Sequence, residues 1–190
     1  MSLSRETEVI FDSRRGQDYH SANPPLYDSS TFHQTVLGGN AQYDYARSGN
    51  PNRTLLEEKL ARLEGGKYAF AYASGIAAIT AVLLTLKSDD HVILPDDIYG
   101  GTLRLTEQIL NRFNIKFTTV NATNILEIKN AIQSNTKLIY VETPSNPLFK
   151  ITDIRAVARI AKQNNLLLAV DNTFMTPLGQ SPLALGADIV

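Results

Sequence analysis

Residues 166–171 read LLLAVD, five consecutive apolar side chains followed by a single carboxylate, Asp171. An apolar run with no polar residue alternating through it suits a strand buried on both faces, the kind found in parallel sheets covered by helices. Open α/β sheets bind their ligands at the carboxyl ends of such strands, which gives the charge at the end of this run a use. A second reading stands beside it: Asp171, Asn172 and Thr173 equally suit a solvated turn or a helix N-cap.

Outward from that strand the same alternation repeats. Upstream, KYAFAYAS (67–74) reads as a strand and GIAAITAVLLTLK (75–87) as a mostly apolar helix that should be buried. DHVILP (90–95), IKFTTV (115–120) and TKLIYVET (136–143) read as strands, separated by helical patterns at 100–113, 125–133 and 153–165. Downstream, ADIV (187–190) opens one more strand as the chain ends, so later strands of the sheet are expected to lie outside it. Strands alternating with helices predict βαβ units, that is, an α/β fold with a mostly parallel sheet flanked by helices. NPNRTLLEEKLARLEGG (50–66) predicts a helix, with Leu55, Leu56, Leu60 and Leu63 at helical spacing and Gly65 as its stop.

The first fifty residues are rich in Ser, Asn, Gly, Pro and Tyr and lack sustained periodicity, apart from a helix-like stretch near SRETEVIFDSRR (4–15). They predict an extended N-terminal arm, residues 1–50, before a compact domain over 51–190. Ordered arms of this length reach across something, commonly a second subunit.

A composition 43% hydrophobic and 19% charged over 190 residues predicts a globular protein of one domain plus an arm. The formal net charge of −1 offers no basic footprint for nucleic acid or an anionic membrane, so a small-molecule partner is expected. The absence of cysteine excludes disulfides, thiolate nucleophiles and zinc-thiolate sites, and His20, His33 and His91 lack metal-ligand spacing. The charged N-terminus has no signal-peptide core, and no run approaches the roughly 18 apolar residues of a membrane span, so a cytoplasmic location is expected.

Four loops are unusually polar or small. In YASGIAAIT, Ser74 and Gly75 precede a helix, whose unpaired N–H groups and dipole suit a phosphate; a Ser N-cap with a Gly for packing fits the same residues. In PDDIYGGT, Tyr99 can stack on an aromatic ligand that the glycines let approach, or the segment is a surface turn. ETPSNP places Glu142 and Asn146 after a strand, in a turn stiffened by two prolines. Asp171 with Asn172 and Thr173 is the fourth. No Walker lysine or dinucleotide glycine triplet competes with them, and VLGGNAQ (36–42) lies in the arm. A phosphate-binding helix start, an aromatic plate, an amide and a buried carboxylate together suit a phosphorylated aromatic cofactor with a basic ring nitrogen, as in pyridoxal phosphate.

YDYARSGNPNRT, ASGIAAI, DDIYGGT, ETPSNP and VDNTFMTP, in this order and approximate spacing, closely resemble the Cys/Met-metabolism family of pyridoxal-phosphate enzymes. The resemblance runs from about NPPLYDSSTF to the final LGADIV. It implies the large domain of a fold-type I pyridoxal-phosphate transferase and a homo-oligomer, a dimer of dimers in the complete enzyme. It further implies that Tyr45 and Arg47 reach from the arm to hold the cofactor phosphate of the neighbouring subunit, a guanidinium gripping phosphate bidentately. Gly75 and Ile76 would give backbone N–H groups to the phosphate beside Ser74. Tyr99 would stack on the ring and assist proton transfer or leaving-group departure, and Asp171 would pair with the pyridine nitrogen. Thr173 and Asn146 would line the pocket, with Glu142 as a supporting acid.

In the family, the lysine that bonds the cofactor sits in a Ser-x-Thr-Lys segment beyond the point where this chain ends. Lys67, Lys87, Lys137 and Lys150 have no such context and read as surface charges. The resemblance therefore implies the first half of a typical member, without the C-terminal part and without turnover on its own. For the complete enzyme it implies cleavage of cystathionine to homocysteine, pyruvate and ammonia, with γ-synthase or γ-lyase chemistry as the alternative. A non-catalytic cofactor-holding or assembly piece is the alternative of another class.

Overall fold

A computed structural model describes residues 4–10, 23–34, 36, 38–39 and 41–190. The chain divides into two compact units, Met1–Ala71 and Tyr72–Val190. The boundary expected after residue 50 differs from this division, because the helix that follows residue 50 packs within the first unit.

The first unit holds α1 (Arg5–Ile10) and α2 (Pro51–Glu64). Asn50 caps α2 by accepting from the Asn52 N–H at 2.8 Å, Pro51 fits the first helical turn, and Gly65 ends it at φ 72°. Residues 30–32 lie against residues 43–46: Thr31 bridges Tyr45 in antiparallel fashion, the Phe32 N–H donates to Asp44 O at 2.9 Å, and Phe32 meets Tyr43 ring to ring at 5.4 Å. The helix expected near residues 4–15 is present as α1; its later part, with His20, lies outside the described residues.

The second unit is built on four parallel strands, β1 (His91–Pro95), β2 (Lys116–Val120), β3 (Thr136–Glu142) and β4 (Leu167–Asp171), in the order β2-β1-β3-β4. The helices are α3 (Gly75–Leu83), α4 (Gly100–Gln108), α5 (Ile125–Asn130), α6 (Ile154–Gln163) and α7 (Thr176–Gly179), with 3-10 turns at Leu110–Phe113 and Leu183–Leu185. Successive strand residues face opposite sides. Ile93, Ile139, Val141, Leu168 and Val170 pack with α5 and α6, while Val92, Leu94, Leu138, Tyr140 and Ala169 pack with α3 and α4. The sheet is thus covered on both faces, as its uninterrupted apolar strands require. Beyond β4, Val170 N–H donates to Ile189 O at 2.9 Å and Ala169 bridges Ile189 in parallel, so the segment expected to open a strand at ADIV makes one isolated parallel bridge.

Two expectations are corrected. KYAFAYAS forms no strand among the described residues; it pairs with no neighbour, and Tyr68, Phe70 and Tyr72 stand exposed. A strand exists only as far as a ladder partner meets its N–H and C=O groups, and β-propensity does not replace one. Helix α3, expected to be buried, is mostly half-exposed, with Leu83 its one buried residue.

At the amino end of β1, His91 is 1% exposed, its Nδ1 2.8 Å from Thr136 Oγ1 and its Nε2 2.9 Å from Thr118 Oγ1. Burial holds this imidazole below its ordinary value of 6.5. The unfolded chain then binds the extra proton, so stability contributed by His91 is present above pH 6.5 and is lost as pH falls through the folded value. The urea midpoint is expected to drop as pH is lowered from 6.5, and His91→Gln to flatten that decline; parallel curves for the two proteins would contradict it.

Candidate active site at the carboxyl edge of the sheet

The chain runs from β1 outward to β2 and from β3 outward the other way to β4, so β1 and β3 flank the switch point of the sheet. The segments leaving their carboxyl ends carry the polar residues singled out in the sequence. Glu142, the last residue of β3, joins two of them: Oε2 accepts from the Tyr99 N–H at 2.8 Å and Oε1 from the Asn146 N–H at 2.7 Å. Burial pushes the Glu142 carboxyl above its ordinary value, the two N–H groups oppose this, and the charges of Asp171 and Asp97 add to it.

Asp171 lies opposite Glu142 in the β3–β4 pairing. Its Oδ1 accepts from the Thr173 N–H at 3.0 Å and hydroxyl at 2.5 Å, and its Oδ2 from the Tyr140 phenol at 3.0 Å. Tyr140 is buried on β3, and burial together with the Asp171 charge raises its phenol well above the usual range, which keeps it a donor. Asp171 itself is only half-buried, so the carboxylate is both clamped and accessible.

Tyr99 precedes α4 and is 44% exposed. The ring lies over Gly101, where an added Cβ would stand 2.4 Å from Tyr99 Cε1, so Gly101 is what lets the ring occupy this place. Ser74 caps α3, its hydroxyl accepting from the Ala77 N–H at 3.2 Å. The N–H groups of Gly75 and Ile76, in the first turn, have no intrahelical acceptor. A Cβ on Gly75 would meet nothing within 4 Å, so open space and not tight packing surrounds it. Tyr99, Glu142, Asn146, Asp171 and Thr173 thus come together at the carboxyl ends of β3 and β4, while Ser74, Gly75 and Ile76 form the start of α3.

Tyr45 and Arg47 belong to the first unit. The Arg47 guanidinium donates to the Tyr45 hydroxyl at 2.9 Å and stands 5.2 Å from that ring's centroid. Arg53 of α2 holds the turn that bears them, donating to Ser48 O at 2.6 Å and Arg47 O at 3.3 Å.

Ser145 and Asp97 are not singled out in the sequence, and Lys150 and Asn172 make contacts that it does not suggest. The Ser145 hydroxyl donates to buried Asp97, and Lys150, read as a surface charge, pairs with Asp96 at 3.0 Å; both tie the ETPSNP loop to the loop after β1. Buried Asn172 donates to Thr176 O at 3.0 Å and Gln180 O at 3.1 Å, stitching the turn after β4. Among the described residues, no group of His, Asp and Glu could hold a metal ion, and no helix is long and apolar enough to cross a membrane.

The donor set fits pyridoxal phosphate: an accessible clamped carboxylate for a ring nitrogen, a half-exposed aromatic face, and a helix start with free N–H groups beneath open space. The chain is 85% identical over all 190 residues to the cystathionine beta-lyase MetC of Staphylococcus haemolyticus, covering 49% of that protein. It is 47% identical to the cystathionine gamma-lyase of Bacillus subtilis over 99% of this chain and 50% of that protein. The solved structure of metB from Corynebacterium glutamicum superposes with a TM-score of 0.93 at 43% identity, over 98% of this chain and 49% of that one. The chain thus spans about half the length of the curated relatives it matches. Residues 6–190 match the family described as Cys/Met metabolism PLP-dependent enzyme, and with the fold in agreement, the chain belongs to that family.

Proposed function

We propose that the protein of which this chain forms part is a cystathionine β-lyase, cleaving the C–S bond of cystathionine to homocysteine, pyruvate and ammonia. The observation that carries this reading is the 85% identity, over the whole chain, to a cystathionine beta-lyase. Pyridoxal phosphate supplies, when bound, a ring that accepts the electrons released at the substrate's α-carbon.

The residues described above have the following parts in this reading. Asp171 pairs with the ring nitrogen and keeps its proton in place. Gly75 and Ile76 offer N–H groups to the phosphate, with Ser74 ordering the turn. Tyr99 stacks on the ring face and stands ready to move a proton at the leaving sulfur. Thr173 and Asn146 line the pocket, and Glu142 fixes the Tyr99 and Asn146 backbones. Tyr45 and Arg47, already held together by their hydrogen bond, serve the phosphate of a neighbouring subunit, so a homo-oligomer, a dimer of dimers, is part of the proposal.

The 47% identity to a cystathionine gamma-lyase favours γ-lyase chemistry as the second reading. Full-length protein loaded with pyridoxal phosphate and given cystathionine separates them. Pyruvate and homocysteine are expected; 2-oxobutanoate and cysteine would replace this reading with the second, and no keto acid would refute both.

A further inference from the structure

The two oxygens of Asp171 are held by residues of different standing. Thr173, which holds Oδ1, lies two positions along the chain in the turn that leaves β4; it fixes the carboxylate only relative to that turn. Tyr140, which holds Oδ2, comes from the neighbouring strand, is 3% exposed, and is packed among Val92, Leu94, Leu138 and Ala169. We infer that Tyr140 is a positioning residue that ties the Asp171 carboxylate to the sheet and aims its remaining acceptor position at the ring nitrogen of the cofactor. The inference rests on the reading of Asp171 given above.

A carboxylate offers about four lone-pair positions. At Asp171 Oδ1 accepts two hydrogen bonds and Oδ2 one, so the position left for an N–H donor lies on Oδ2, beside the phenol. Without the phenol, both positions on Oδ2 are open and the group turns about its last bond. The tyrosine is itself backed from α4, where the fully buried Thr102 hydroxyl stands next to the Tyr140 oxygen.

Tyr140→Phe removes one oxygen and keeps the ring in its packing. Apo full-length protein titrated with pyridoxal phosphate and followed by its visible absorption is expected to bind about tenfold more weakly as Y140F, one charge-assisted hydrogen bond being at stake. With cystathionine, kcat is expected to fall while KM stays within about twofold, because the phenol acts on the ring and not on substrate binding. Wild-type affinity and kcat in Y140F would overturn the inference. Asp171→Asn run in parallel separates the two levels: damage in D171N with none in Y140F removes only the role of Tyr140, and unchanged behaviour of both removes the reading of Asp171. If Y140F does not fold, wild-type protein carrying [ζ-13C]tyrosine serves instead. The Tyr140 resonance is expected to move when pyridoxal phosphate is added, and a stationary resonance would overturn the inference.

Discussion

Asp171→Asn in the full-length protein is expected to lower kcat/KM for cystathionine by about 10²–10³-fold, the usual loss when one preorganised electrostatic partner of the reacting charge is removed. The amide keeps the shape, and its oxygen can still accept from Thr173 or from Tyr140, so the fold is expected to survive. What disappears is the negative charge beside the ring nitrogen. A neutral neighbour no longer favours the protonated ring, and the electron-accepting capacity of the cofactor falls with it. The measurement is steady-state pyruvate formation at saturating cofactor, with the thermal midpoint of the apo protein as control. Turnover within a few-fold of wild type, at an unchanged midpoint, would show that Asp171 is not the ring-nitrogen partner.

Glu142→Ala is expected to destabilise the protein by about 1–3 kcal/mol, since it leaves the Tyr99 and Asn146 N–H groups without their acceptors. It should also slow turnover, because two loops at the switch point lose their common anchor. The pH dependence of the loss identifies the cause. Burial raises the folded value of Glu142 above its ordinary 4.5, so the folded protein holds this proton more tightly than the unfolded chain. Stability from the group is therefore fully present below pH 4.5 and is lost as pH rises through the folded value. The gap between wild type and E142A in urea midpoint is expected to be widest at acid pH and to narrow upward from 4.5. A gap that widened with pH would mean that the ionised carboxylate is the stabilising form.

The two loops joined by Glu142 illustrate how much of the site was legible. Tyr99, Asn146 and Asp171 announce themselves as polar residues directly after strands, where an α/β sheet places its ligands. Tyr140 does not. It sits inside TKLIYVET as one more large residue of an apolar strand, and only the β3–β4 pairing shows that its hydroxyl reaches Asp171, 31 positions away in sequence. Asp97 and Ser145 escaped for the same reason, being ordinary loop residues until the fold sets one against the other across 48 positions. Arg53 is not singled out in the sequence, although its guanidinium holds the carbonyls of the turn bearing Arg47.

From the sequence alone came the strands β1 to β4, the helices between them, the stop at Gly65 and the candidate residues at the strand ends. These depend on local pattern: apolar runs, helical spacing, and glycine at a left-handed position. Tertiary structure alone decided that KYAFAYAS has no ladder, that α3 is only half-covered, which strands are neighbours, and how Asp171 is clamped. Each of these turns on what another part of the chain presents. Hydrogen bonding of a strand and burial of a helix face are properties of pairs, and the order β2-β1-β3-β4 that creates those pairs follows from packing on both faces of the sheet at once.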